Sequence, residues 1–496
     1  MSLSVALQVA QSALTTRQRE TSVLAQNITN ATTDGYSRKS ALVSSLRSQN
    51  GTSGGITVDS ISRATDQALL SNLIAATSSA MTGEAYLDGI QRLSQTIGDP
   101  IEGRSPSAAL GNFVNALQQY SAEPQNTVLA GAVLTSAEDL ANTLNTATRA
   151  VQAERERADS LLADSVTTIN TLLSDFEAVN NEVVRGTNSG NDITSALDQR
   201  DQIVLELSEF MGVRAETRGS NDMIITTDSG VMLFETTPRE VKFEQKTTFV
   251  AGASGNALLV DGVRIAGPGA TMPVSEGKIV GLMNIRDDVA VTYQTQLDEI
   301  ARGLVTAFKE TDQGAGTKPD RVGLFTYSGA PAVPASGTVI AGLAGDISIA
   351  SSVDPDSGGD INRLRDGGIS EPYDADYVYN TGGEAGYVAR LQEIITELDK
   401  PMSFDPTAKV DPSNPLASFA SSSASWLEGE RKQADGVNER TSVVVARTAE
   451  SLSNITGVNI DDEMQAMLEI ERSYSATAKL ITTINQMLEQ LLDLAG

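Results

Sequence analysis

The stretch 455–496 constrains this chain more than any other. Counting in sevens from Ile460 gives Ile460, Met467, Tyr474, Ile481, Leu488 and Ala495, all apolar or aromatic. A second row, Met464, Glu471, Ala478, Asn485 and Leu492, completes a seam with two polar interruptions. A heptad repeat held this long predicts a helix that supercoils with partner helices. Further apolar residues, among them Leu468, Ile470, Leu480, Ile484, Met487 and Leu491, lie off that seam. One partner cannot cover so wide a stripe, so the tail is expected to pack against several helices at once.

The other end of the chain answers it. Leu3, Leu7, Ala10, Leu14, Arg17, Thr21, Leu24 and Ile28 follow one seam, polar in its middle, and the pattern stops at Asp34-Gly35, where glycine can take the left-handed conformation that ends a helix. Two terminal helices of roughly 30 residues would each be about 45 Å long. Periodicity alone leaves two arrangements open: an antiparallel pair closing an ordinary monomer, or a pair still exposed for neighbours.

Between the ends, 37–46 and 56–61 read as a strand pair around a Gly/Ser-rich turn, and helical spacing follows from Arg63. Ser105-Pro106 reads as an N-cap and first helical residue. Long helices are expected over 127–185 and 193–211. The period changes to two after Gly212, with hairpin turns at Asp228-Ser229-Gly230 and Asp261-Gly262. Helical spacing returns at Val289, and 313–388 is rich in Gly, Pro, Ala, Ser and Asp. The expected fold is mainly α with β-rich insertions: an elongated rod of paired terminal helices, a long-helix bundle and a small outer β domain. The expected divisions are 1–35 with 455–496 as the terminal pair; 36–212, 286–312 and 389–454 as the bundle, strand pair included; 213–285 as the β-rich part; and 313–388 as a variable outer insertion.

Composition narrows the function. A net charge of −28 argues against nucleic acid or an anionic membrane as partner. The chain has no histidine and no cysteine, which excludes Ser-His-Asp and Cys-His hydrolases, disulfides and zinc–thiolate sites. No apolar run reaches the roughly 20 residues that span a bilayer, and no cleavable secretory signal is recognisable at the N-terminus. No cofactor or metal is expected. Asp354, Asp356 and Asp360 suggest calcium, but Gly358 and Arg365 stand where ligands belong, so a solvated acidic loop is the expectation. Asp198-Gln199-Arg200-Asp201 reads as local ion pairs on a helix surface. A carboxylate-dependent hydrolase would need a marked pair among 64 acids, and nothing singles one out.

Residues 24–38, Leu-Ala-Gln-Asn-Ile-Thr-Asn-Ala-Thr-Thr-Asp-Gly-Tyr-Ser-Arg, resemble the signature closing the N-terminal helix of bacterial flagellar rod, hook and hook-associated axial proteins. Residues 457–464 through Tyr474, Ala478, Ile481 and Leu488 are similar to that family's C-terminal signature. Interior runs at 197–201, 277–287 and 323–325 resemble a member that sits where hook meets filament. The resemblance implies a structural protein exported by the flagellar type III route without a cleaved signal and escorted by an export chaperone. It implies a ring of subunits on the hook protein, with hook-associated protein 3 on the far side. It carries Asn27, Asn30, Gly35, Tyr36, Arg38, Asp198, Arg200 and Asp201 as motif positions. The subunit contacts would come from Leu3, Leu7, Leu14, Leu24, Ile28, Ile460, Met464, Met467, Tyr474, Ala478, Ile481, Ile484, Leu488, Leu491 and Leu492. A hook or rod subunit is the nearest alternative, and a free-standing coiled-coil scaffold a further one.

Overall fold

The computed structural model describes residues 3–47, 53–97 and 105–495. Its main elements in chain order are α1 (Leu3–Thr29), β1 (Lys39–Arg47), β2 (Ser53–Arg63), α2 (Gln67–Ile97), α3 (Pro106–Ala122), α4 (Thr127–Ser189) and α5 (Thr194–Phe210). Strands β3 (Val213–Thr217), β4 (Met223–Thr227) and β5 (Met232–Phe234) form one antiparallel sheet; β6 (Val241–Lys242), β7 (Leu258–Val260) and β8 (Val263–Ala266) form a second. Helices α6 (Lys278–Asn284) and α7 (Ala290–Ala307) follow, joined by a π turn at Ile285–Val289. The chain closes through β9 (Phe325–Thr326), α8 (Leu343–Asp346), β10 (Ser348–Ile349), α9 (Arg363–Asp366), α10 (Ala389–Asp399), β11 (Met402–Ser403), β12 (Ser413–Asn414), α11 (Leu416–Thr456) and α12 (Ile460–Ala495). The fold is mainly α with β-rich insertions.

Helix α4 is the spine. Its 63 residues make about 95 Å at 1.5 Å each. Asn126 caps its start through Val128 N and Leu129 N, and Gly190 ends it in the left-handed region. Its two halves serve two apolar cores. Ala130–Val151 packs with α3, α7, α8 and the end of α2, in a core that α10 and the start of α11 complete. Ala158–Val183 packs with α5, α6, the start of α2 and both small sheets.

A charged belt separates the cores. Arg286, on the π turn, is wholly buried; it donates to the carboxylates of Asp159 and Asp287 and to the carbonyl of Asn256. Arg155 donates to the carbonyls of Arg286, Val250 and Ala253. These buried cations find enough acceptors to offset their desolvation, and they clamp the loop 243–257 of the β-rich part to the shaft.

Three expected divisions are corrected. Residues 278–285 are helix, not β domain: Gly281 lets α6 close on α2, where a Cβ would meet the Thr82 carbonyl at 2.5 Å. Residues 313–388 are not a loose outer insertion. Leu324, Phe325, Leu343, Ile347, Val353, Leu364 and Ile369 all enter the first core, and Phe325 sits 5.4 Å and 5.2 Å from the Phe113 and Phe308 ring centres. Composition hid this because the segment inserts single side chains from irregular backbone. Finally, the β1–β2 ribbon lies along α1 rather than in the bundle: Thr16 Oγ1 donates to Ile56 O at 3.0 Å, and Ile56 N donates to Ser12 Oγ at 3.3 Å.

Candidate assembly interface

Helices α1 and α12 pack together, and α1 also carries the ribbon. Asn459 starts α12 by accepting from Asp461 N, and Asp461, Asp462 and Glu463 fill its first turn, where acids favour the helix dipole. The expected polar middle of α1 is satisfied locally: Arg17 pairs with Glu20 at 2.8 Å, and Thr21 Oγ1 donates back to the Arg17 carbonyl.

The seam inside one protomer differs from the expected one. Glu463 and Ile484 are buried, and Met467, Ile470, Thr477, Ile481 and Leu488 are half-buried, which is a 3–4 spacing through the Met467 row. Of the expected second row, Met464, Glu471 and Asn485 face solvent and Ala478 is half-buried. The Leu492 side chain lies outside the described residues. The seam is thus turned by one position, because Glu463 at the helix root fixes α12's rotation. On α1, Leu24 is buried, while Leu3, Leu7, Leu14 and Ile28 are half-buried.

Much of α12's apolar surface remains in water. Ile460, Met464, Leu468, Tyr474, Leu480, Met487 and Leu491 are each more than a third exposed. Among the described residues, neither apolar core takes a residue from α1 or α12.

At the root of the pair the contacts turn polar and dry. Asn27 is fully buried, and its amide meets all four of its hydrogen-bonding needs. Nδ2 donates to Lys39 O at 2.8 Å and to Glu463 Oε2 at 2.9 Å; Oδ1 accepts from Tyr36 OH and Lys39 N, both at 2.9 Å. Aspartate could not replace it, since a carboxylate has nothing to donate to Glu463. The Glu463 carboxylate, with no exposed surface, takes its second partner from Arg38 Nε at 2.6 Å. Arg38 N donates to Thr456 O, tying the start of β1 to the end of α11. Burial, helped by Asp198 and Glu463, pushes the Tyr36 phenol up to about 12, so it remains a donor at neutral pH.

The chain reaches this geometry through a tight turn. Thr33 N donates to Asn30 O, and Tyr36 N to Thr33 O. Asn30 Nδ2 donates to the Gln26 carbonyl, and Gly35 takes φ +75°.

The expected surface ion pairs at 198–201 are corrected too, since Asp198 and Arg200 are buried and Asp201 is half-buried. Arg63 bridges Asp198 Oδ1 at 3.0 Å and Asp201 Oδ2 at 2.6 Å. Lys39 Nζ, itself buried, donates to Ser195 Oγ at 2.6 Å and lies 3.9 Å from Asp198 Oδ2. Arg200 points the other way, donating to Asn180 Oδ1 and Asn221 O. The run therefore locks the ribbon's ends onto α5 instead of decorating a helix. Sequence reasoning missed Lys39, Arg63 and Glu463. One signal was available: Glu463 stands seven before Ile470 and fourteen before Thr477, a charge on an otherwise half-buried row.

Elsewhere, Asp354 and Asp360 spend their carboxylates on turns, accepting from Asp356 N and Ser357 Oγ, and from Asn362 N and Nδ2. Among the described residues no group of three or more acids is placed to hold a metal, and no helix is long and apolar enough to cross a membrane.

Known proteins are similar over the same regions. Residues 90–323 match the family described as flagellar hook-associated protein FlgK helical domain. Residues 7–36 match flagella basal body rod protein, and 452–494 match flagellar basal body rod FlgEFG protein C-terminal. Flagellar hook-associated protein 1 of Bacillus subtilis (strain 168) is 20% identical, with 99% of this chain and 98% of that protein covered. Its namesake in Salmonella typhimurium is 22% identical over 60% of this chain and 55% of that protein. The flagellar hook junction protein FlgK from Burkholderia pseudomallei shares the fold, with a TM-score of 0.57 at 12% identity, covering 78% of this chain and 100% of that one. The chain is a structural component of the bacterial flagellum, similar over its length to flagellar hook-associated protein 1.

Proposed function

We propose that this chain is the junction subunit between hook and filament, assembling into a ring through its terminal helices. The observation that carries this reading is the unfinished terminal pair: helices joined to the bundle by a specific buried polar root, yet leaving α12's apolar side chains in water. Such a surface fits contacts with further subunits better than a finished monomer. On this reading the partners are other copies, hook protein on one side and hook-associated protein 3 on the other. Export runs through the flagellar type III apparatus without a cleaved signal, with a chaperone covering the terminal helices. The role is structural, with no catalytic step. A rod or hook subunit has the terminal matches in its favour, but the helical-domain match over 90–323 favours the junction. Electron microscopy of cells lacking the protein tests the reading: hooks without filaments, with flagellin shed into the medium, are expected. Normal filaments, or the absence of hooks, would contradict it.

A further inference from the structure

Aspartate precedes glycine at five steps of the described chain: Asp34-Gly35, Asp88-Gly89, Asp261-Gly262, Asp366-Gly367 and Asp435-Gly436. Such a step can isomerise without any co-reactant but water. The glycine nitrogen attacks the aspartate Cγ, a C–N bond forms, and a carboxyl oxygen leaves as water with the amide proton. Water then opens the five-membered imide at either carbonyl. Opening at the α-carbonyl routes the main chain through Cβ and Cγ, which is an isoaspartate. Glycine favours the attack because no side chain shields its nitrogen. In a folded chain the reaction also needs a carboxyl group without partners and an amide N–H that no hydrogen bond holds in place.

The fold restrains four of these steps. Asp88 and Asp435 lie inside α2 and α11, where the helix ladder holds the next amide, and Asp88 also pairs with Arg92. Asp366 pairs with Arg365 at 2.7 Å and accepts from Asn380 Nδ2 at 2.6 Å, while Gly367 N donates to the Arg363 carbonyl. Asp261 pairs with Arg239 at 3.3 Å and sits at φ +49° in the two-residue turn closing β7 on β8. Asp34-Gly35 has neither restraint. Asp34 is exposed, and among the described residues its carboxylate has no partner and Gly35 N donates to nothing. A single 3.2 Å bond, from Tyr36 N to the Thr33 carbonyl, spans the step. We infer that Asp34-Gly35 is the site at which this chain ages to isoaspartate, and that the change loosens the root of the terminal pair. The added main-chain atom falls between α1 and Tyr36, whose hydroxyl donates to Asn27 Oδ1, and it draws that donor off the buried amide.

The test holds the purified full-length chain warm at neutral pH for several weeks and counts isoaspartate at each step by peptide mapping with electron-transfer fragmentation. Asn50-Gly51, which lies outside the described residues, changes mass when it deamidates and is counted apart. Asp34 is expected to lead, about fivefold or more ahead of Asp88, Asp366 and Asp435, each of which must first give up a hydrogen bond or an ion pair. Asp261, whose pair is exposed, should come second. In urea, where the fold no longer selects, the five should converge. By circular dichroism the aged chain should lose helix at a lower temperature than the fresh one, in proportion to its isoaspartate at position 34. Asp34→Glu, which would have to close a six-membered ring and does so far more slowly, should age without that loss. The inference is overturned by a lack of isoaspartate at Asp34, by the same ranking in urea as in water, or by an aged chain that melts as the fresh one does.

Discussion

Helices α4 and α12 carry similar apolar repeats and come to opposite states. α4 buries side chains along its whole length, from Ala130 to Gly186. α12, over 36 residues, buries only Glu463 and Ile484 among its described side chains. Helix stability in water comes mostly from tertiary packing of an apolar face. Within one chain, then, a similar pattern makes a finished shaft where neighbours are supplied in cis and an unfinished one where they are not. The two regions are also joined differently: the shaft by apolar cores, the terminal pair by a polar root around Asn27 and Glu463.

The harshest test of the shaft removes part of its first core. Deleting residues 326–385 strips Leu343, Ile347, Val353, Leu364 and Ile369, each worth about 2 kcal/mol or more. The sum rivals the roughly 5–15 kcal/mol that holds a domain folded. The deleted chain should lose the cooperative thermal transition reported by the single tryptophan, Trp426, which packs against this core. A soluble variant with an unchanged transition would return this segment to the surface.

Breaking the root should spare the shaft. Asn27→Ala leaves Lys39's backbone groups without partners and Glu463 with Arg38 alone, a loss of about 3 kcal/mol localised to the joint. Helix content measured by circular dichroism should fall below the temperature of the Trp426 transition, which itself should not move. A shift of both together would mean that the pair and the bundle are one cooperative unit.

A pH effect is expected from the shaft. Asp298, on α7, accepts from Gly342 N, Ala344 N and Gln294 Nε2, yet burial pushes its carboxyl from 3.8 up to about 6. The folded state therefore holds this proton more tightly than the unfolded one. Its contribution is most favourable below about pH 4, is lost as pH rises to about 6, and is level beyond. Asp298→Asn should remove a change of about 3 kcal/mol from the Trp426 stability profile between those limits. Parallel profiles for the two proteins would contradict the assignment.

Much of this was legible in the sequence, and what was not has a physical reason. Ser105 caps α3 through Ala108 N, and both hairpin turns fall at Asp-Ser-Gly and Asp-Gly, with Gly230 and Gly262 at positive φ. Those are local choices, fixed by a few neighbouring residues. The failures concern contacts between distant residues. Nothing near Asp198 announces Arg63, 135 positions away, or turns the run inward. The rotation of α12 rests on Asn27 and Arg38, more than four hundred residues upstream of Glu463. Residues such as Leu324 and Val353 are set in irregular backbone, so no period marks them as core.

The mildest change probes the turn that aims the root. Gly35→Ala forces a side chain into φ +75°, costing about 1–2 kcal/mol, while the nearby Gln202 amide is flexible enough to give way. The protein should assemble but release the terminal pair at a lower temperature than the parent. Equal behaviour would show that the turn is not under strain.

Hydrogen exchange on the purified full-length chain tests the contrast most directly. Amides of α1 from Leu7 to Ile28 and of α12 from Met464 to Leu491 should exchange faster than those of α4 from Leu140 to Val183 by about a thousandfold or more. Protection of the two ends equal to that of α4 would mean that the terminal pair is complete within the monomer, and that its exposed apolar face awaits no neighbour.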